Sequence, residues 1–331
     1  MATTRHGFIL IVLACAILLG FSETGRADVA RKSIEYAGTG RHYLISVPSR
    51  YSPNHHHPLL LVFHGGGGNP EQVLKSSDIV EKAEKENWLL VAPAGSGRFT
   101  HRLLTWNVGF GFGYAMRNRV DDIDFVRHLL QLLKANYNID ANRVYATGIS
   151  NGGILCHLLA AELSDQIAAI APIVATAGGR AKEQRLWTVP ATPNGAVSVI
   201  AFNGALDERV PSEGGWQRRF TGHDPVEVWS VKQTIDFWVR RNRCNETPTV
   251  ENNAVKQYRR FTYSGCRAGS QVTQYILLNQ GHVWPGGKKG YWWADPPSQL
   301  VSANDLMFEF FKRQPKKADQ NSPEPATKLG R

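Results

Sequence analysis

The sequence is poor in sulfur, with four cysteines and three methionines in 331 residues. No C-x-x-C or H-E-x-x-H spacing occurs, which removes zinc ribbons, dithiol redox centres and metalloprotease helices. No metal and no cofactor is therefore expected. The run His55-His56-His57 lies between Pro53 and Pro58 and reads as an exposed loop rather than a ligand set. Long apolar runs are scarce too. The one at the start, "GFILIVLACAILLGF", has 15 residues, short of the roughly 20 needed to cross a bilayer. With Arg5 ahead of it and Gly25 and Ala27 behind, residues 1–27 read as a secretory signal cut after Ala27, with a retained anchor as the alternative. The mature chain is then secreted or periplasmic, without stable membrane insertion. Removal of Cys15 leaves Cys156, Cys244 and Cys266, so at most one internal pair can form. Cys156 falls in an apolar helical stretch, whereas Cys244 and Cys266 flank a loop-and-strand segment. A Cys244–Cys266 disulfide and a buried, free Cys156 are expected.

Clustered charge is also lacking. Lys and Arg number 38 against 28 Asp and Glu, a formal charge of +10, but the basic residues are spread along the chain and no nucleic-acid fold signature accompanies them. No nucleic-acid partner is expected, and a basic surface suits anionic cell-wall or polysaccharide material. What remains is an ordinary folded composition, 42% hydrophobic and 20% charged.

Strand and helix patterns alternate. "SIEYAGTGRHYLISVP" reads as a hairpin turning at Gly38 and Gly40. "PLLLVFHG" and "WLLVAPAG" are continuously apolar, as in parallel strands buried on both faces. Between them "SSDIVEKAEKEN" reads as one helix capped by serine. "VDDIDFVRHLLQLLKANYN" has helical spacing with acidic residues in its first turn. The strands "RVYATGIS", "IAAIAPIVAT", "VSVIAFNGA" and "VTQYILLNQ" follow. This is an α/β chain with a doubly wound, mostly parallel sheet and helices on both faces, in a single domain over residues 28–313. The polar, proline-containing stretch 314–331 reads as a disordered tail.

The stretch Gly148-Ile149-Ser150-Asn151-Gly152 joins a strand directly to a helix. Small residues at such a corner serve close packing, or they form a nucleophile elbow that exposes the serine hydroxyl. In a doubly wound sheet, reactive groups gather at the carboxyl ends of strands. Asp207 and His282 both lie just after strands, and the order Ser150, Asp207, His282 is that of α/β-hydrolases. "LLLVFHGGGGNP" ends another strand in Gly65 to Gly68, where that fold draws a backbone oxyanion donor. Taken singly, Asp207 reads as a turn residue, His282 as a loop residue, His64 as a structural histidine, and Asp121, Asp122 and Asp124 as a helix start with its ion-pair partners. Taken jointly, the first two and Ser150 compose a catalytic triad. Ser150 would attack an ester carbonyl with His282 as base and Asp207 orienting it, and the N–H groups of Asn151, Gly66 and Gly67 would meet the oxyanion.

The segments "LLLVFHGGGGN", "LTWNVGFG", "VDDIDFVRHLL", "YNIDANRVYATGISNGG", "FNGALDERVPSEGG", "GHVWPGG" and "SANDLMFEFFKR" together resemble the secreted esterases grouped with polyhydroxybutyrate depolymerases, feruloyl esterases and acetylxylan esterases. The resemblance runs from about Ile34 to Arg313. It implies an α/β-hydrolase fold and a serine esterase in which Ser150, Asp207 and His282 match the family's triad. Many relatives follow the Trp106-Asn107 segment with a cysteine pair, and here Phe110-Gly111-Phe112-Gly113 stands instead. Trp284, Tyr291, Trp292 and Trp293 cluster after His282 and either bind substrate or pack the core, with Trp284 and Trp292 the substrate-binding candidates. Depolymerases of solid polyester commonly add a binding domain, for which no room follows Arg313. Soluble substrates are therefore expected: hydroxycinnamoyl or acetyl esters of polysaccharide fragments, or hydroxybutyrate oligomers. Attack on polymer and acyl transfer by the same triad are the alternatives.

Overall fold

The computed structural model describes residues 28–217, 226–290, 292 and 294–317. The signal segment expected over 1–27, Tyr291, Trp293 and most of the expected tail lie outside the described residues. The chain opens with β1 (Val29–Tyr36) and β2 (Thr39–Ser46), a hairpin whose turn is Ala37-Gly38, both at positive φ. Gly40, expected in the turn, is in β2. Next come β3 (His57–Phe63), α1 (Pro70–Ser77), α2 (Ile79–Glu86), β4 (Leu89–Pro93), α3 (Tyr114–Arg117), α4 (Asp122–Asn136), β5 (Ile139–Ile149) and α5 (Asn151–Glu162). They are followed by β6 (Ala169–Ile173), β7 (Gly179–Ala181), β8 (Ser198–Gly204), β9 (Gly215–Trp216), β10 (Val226–Val228) and α6 (Val231–Arg241). The hairpin β11 (Thr249–Asn253) and β12 (Tyr258–Tyr263), then β13 (Val272–Leu277) and α7 (Ala303–Arg313), complete the fold.

Ten strands form one sheet in the order β1-β2-β4-β3-β5-β6-β8-β13-β12-β11. Its six central strands are parallel, and an antiparallel hairpin closes each edge. The apolar run of β3 is buried on both faces. Leu59, Leu61 and Phe63 meet α4, α5 and α6, while Leu60 and Val62 meet α1, α2 and α7. Continuous hydrophobicity rather than alternation follows directly from that burial. β7, β10 and β9 make a separate three-stranded sheet. Among the described residues, no helix is long and apolar enough to cross a membrane.

Three local expectations change. The single helix over Ser76–Asn87 is two helices. Asp78 at φ 57° ends α1 by donating its N–H to the Leu74 carbonyl, so the serines close the first helix instead of capping the second. α1 itself starts from Asn69, whose side chain accepts the Gln72 N–H ahead of Pro70. His57 is not in the exposed histidine loop. It begins β3, is buried, and accepts the Ser52 N–H on Nε2. The start of the expected tail is packed, because Gln314 accepts from the Ser198 hydroxyl and the Lys316 N–H donates to Asn142. Cys244 and Cys266 are joined by a disulfide at the base of the β11–β12 hairpin, and Cys156 is free and buried.

Candidate active site

β5 ends at Ile149 and α5 starts at Asn151, so Ser150 alone turns the chain. Its φ of 55° and ψ of −120° lie where a side chain is strained by about 1–3 kcal/mol. Absent side chains make the corner possible. A Cβ on Gly152 would stand 2.5 Å from the carbonyl oxygens of Phe63 and His64, and one on Gly148 would stand 2.7 Å from the Gly152 carbonyl carbon. The Ser150 N–H donates to Ile173 on the neighbouring strand at 2.9 Å, which fixes the corner to the sheet.

Asp207 and His282 leave the sheet three and five residues after β8 and β13. Oδ2 of Asp207 accepts from His282 Nδ1 at 2.8 Å, while Oδ1 accepts the N–H groups of Arg209 and Val210 at 2.8 and 2.9 Å. With a carboxylate on Nδ1, that nitrogen carries the proton of the neutral ring and Nε2 is left basic, an assignment from the partner. The two side chains are 0% and 8% exposed, so the contact is shielded from water. The His282 N–H donates to Asp295 Oδ2 at 2.6 Å, and Gly281 leaves the space that this carboxylate occupies. Gln280, fully buried, accepts the Ser298 N–H and donates to the Val283 carbonyl, bracing the same turn. Asp295 and Gln280 had no local signature in the sequence. Ser150 and His282 both line one cavity of about 330 Å³, and Asp207 stands behind His282.

The glycine loop passes beside the elbow. A Cβ on Gly66 would lie 3.4 Å from that of Asn151. The N–H groups of Gly66 and Asn151 have no partner among the described residues. That of Asn151 is the first of α5, where the helix dipole favours negative charge. Gly67, the third donor expected, is corrected: its N–H is spent on the Leu104 carbonyl at 2.8 Å, because Gly68 and Leu104 pair as an antiparallel bridge. His64 is structural. Its Nδ1 donates to the Gly65 carbonyl at 2.8 Å and its Nε2 accepts the Gly95 N–H at 2.9 Å. Burial pushes its pKa down to about 4, against a smaller opposing effect of the Gly65 bond, and the ring stays neutral.

Val108, Phe110, Phe112, Ile154 and Val226 are among the apolar residues that line the cavity, and Gln72, Ser76 and Lys288 are among the polar ones. The phenylalanine loop stands where a cysteine pair was the familiar pattern. Trp284 borders the cavity but is buried, with its indole N–H on Asn304 Oδ1 at 3.0 Å. Trp292, the other aromatic candidate, is corrected: it is 84% exposed and not among the lining residues. Before and after it in the chain, Lys288 donates its N–H to the Ser76 carbonyl and Ser298 donates its N–H to Gln280.

This geometry belongs to the α/β-hydrolase fold. The structure aligns with acetyl xylan esterase from Aspergillus awamori at a TM-score of 0.58 and 14% identity, covering 86% of this chain and 99% of that one. No protein-family model matches the chain. Among curated relatives, it is 28% identical to feruloyl esterase B of Piromyces equi over 56% of its own length and 32% of that protein's. It is 30% identical to a bifunctional acetylxylan esterase/xylanase of Neocallimastix patriciarum over 74% of this chain and 31% of the relative. It is 25% identical to poly(3-hydroxyalkanoate) depolymerase C of Paucimonas lemoignei over 57% of this chain and 46% of the relative. The chain thus spans less than half the length of each of these three proteins. The esterase grouping that the motifs resemble is the one to which these relatives are assigned by name.

Proposed function

We propose that the protein is an exported serine esterase that hydrolyses soluble carboxylic esters through an acyl-enzyme. The observation that carries this reading is the strained Ser150 sharing a cavity with His282, whose far nitrogen is held by the buried Asp207. Ser150 Oγ attacks the ester carbonyl carbon and gives its proton to His282 Nε2, while Asp207 stabilises the imidazolium. The oxyanion is met by the N–H groups of Asn151 and Gly66, each of which is worth on the order of 10²–10³ in rate. His282 then protonates the leaving alcohol, and water takes the same route to release the acid.

The apolar wall and a volume of about 330 Å³ suit an acyl group larger than acetyl, since ligand pockets run from about 300 to 1,000 Å³. Hydroxycinnamoyl esters of polysaccharide fragments are favoured on that ground over acetyl esters. The disulfide supports export. The test is labelling with a fluorophosphonate probe and hydrolysis of p-nitrophenyl acetate. Wild type is expected to react with both, and Ser150→Ala, correctly folded, with neither. Labelling or wild-type turnover in that variant would remove Ser150 as nucleophile.

A further inference from the structure

Much of the cavity's apolar wall is one loop, residues 106–113, and no disulfide holds it. Phe110 and Phe112 alternate with Gly109, Gly111 and Gly113, at φ 79°, 91° and 109°. Such a backbone has conformations open to it that side chains would remove, so its shape depends on how its start is anchored. Trp106 exchanges both backbone groups with the Asn151 side chain, at 2.8 and 3.2 Å. The next N–H, of Asn107, donates to Asp122 Oδ2 at 2.7 Å. The Asn107 side chain donates to the Val120 carbonyl at 2.8 Å and accepts the Gly109 N–H at 3.1 Å. The other Asp122 oxygen takes the Arg41 guanidinium at 3.1 Å, and the two side chains are 0% and 7% exposed. Arg41 also donates to the Ala94 carbonyl and lies 3.6 Å from the Phe125 ring centroid. Neither Arg41 nor Asp122 borders the cavity.

A buried ion pair is expensive to desolvate and is weak evidence for stability by itself. Here its carboxylate is also the acceptor that fixes the wall loop at its root. We infer that Asp122, held by Arg41, is a positioning residue that sets the 106–113 loop and thereby which acyl groups the cavity takes. The inference rests on the esterase reading above. An acetyl group needs only the triad and the oxyanion donors, whereas an aromatic acyl group has to lie against Phe110 and Phe112. Loosening the loop therefore costs the aromatic ester and spares the acetyl one.

The experiment measures kcat/KM on methyl cinnamate and on p-nitrophenyl acetate for wild type, Asp122→Asn and Asn107→Ala, with a thermal melt of each. Asn107→Ala leaves the ion pair intact and covers the case in which Asp122→Asn does not fold. The cinnamate value is expected to fall by about tenfold or more, chiefly through KM, while the acetate value changes by less than about threefold. Equal losses on both esters, or an unchanged ratio in the folded variants, overturn the inference. Binding of free cinnamate to Ser150→Ala, with and without Asp122→Asn, reads the wall without catalysis. Binding weakened by about tenfold supports the assignment even if no ester is turned over, a result that sinks the esterase reading alone. Unchanged binding overturns the assignment.

Discussion

Acid is expected to weaken the protein through His64. The imidazole is fully buried and neutral, bridging the Gly65 carbonyl and the Gly95 N–H, with its ring 4.9 Å from that of Trp106. Its pKa is pushed down to about 4 from an ordinary 6.5. Below pH 6.5 the unfolded chain binds a proton here that the folded chain refuses. The stability present above that pH is therefore lost as pH falls toward 4, and the loss from this group stops there. At about 1.4 kcal/mol per pH unit, the whole window is worth on the order of 3 kcal/mol. His157 is also buried, with its pKa lowered to about 3 by burial, and contributes in the same direction. A non-titrating replacement separates the two. In His64→Gln, urea unfolding followed by tryptophan fluorescence between about pH 7 and pH 4 should show a shallower decline than wild type, the difference approaching one proton. The variant is expected to be less stable near neutrality, where its packing is poorer, so the slope is the informative quantity. A slope identical to that of wild type would refute the reasoning and mean that the folded protein accepts a proton on His64.

Two further outcomes test the elbow and the sheet edge. Gly152→Ala places a methyl carbon 2.5 Å from two carbonyl oxygens and should cost about 2 kcal/mol or more, with kcat/KM on p-nitrophenyl acetate falling more than about tenfold. Wild-type stability by denaturant titration would show that the corner has slack. Replacing Cys244 and Cys266 by serine opens a loop of 22 residues' separation and should cost up to about 3 kcal/mol in guanidinium unfolding. Turnover of the same ester should be kept, and its loss in the folded variant would tie the hairpin to the site.

The elements that carry the proposed chemistry are legible because their signals are local. Buried parallel strands announce themselves by largely apolar runs, and Ser150, Asp207 and His282 each come within five residues of the end of such a strand. The Ser150 corner could be read because two glycines bracket it. The Asn69-Pro70 start of α1 carries a local capping signal, and the break at Asp78 carries none, since an aspartate in a left-handed conformation looks like any other aspartate. What remained hidden depends on partners far along the chain. Gly67 lost its expected donor role to Leu104, and Asp122, a plain helix-start residue by its surroundings, pairs with Arg41 from 81 positions away. Trp292 shares the aromatic character of Trp284 eight positions earlier, and only the fold decides that one is walled in and the other faces water.

The β11–β12 hairpin offers a practical handle. Its turn, residues 254–257, carries Val255 at 85% exposure, and its base is clamped by the Cys244–Cys266 bond. Five strand steps separate β11 from β5, the strand that leads into Ser150, roughly 24 Å at about 4.8 Å per step. A cellulose-binding module, an affinity tag or a surface-coupling peptide grafted into that turn would pull on a covalently closed loop at the sheet's margin. The clamp would stop the load from prying the sheet apart strand by strand, so the molecule could be anchored to a solid support by its edge.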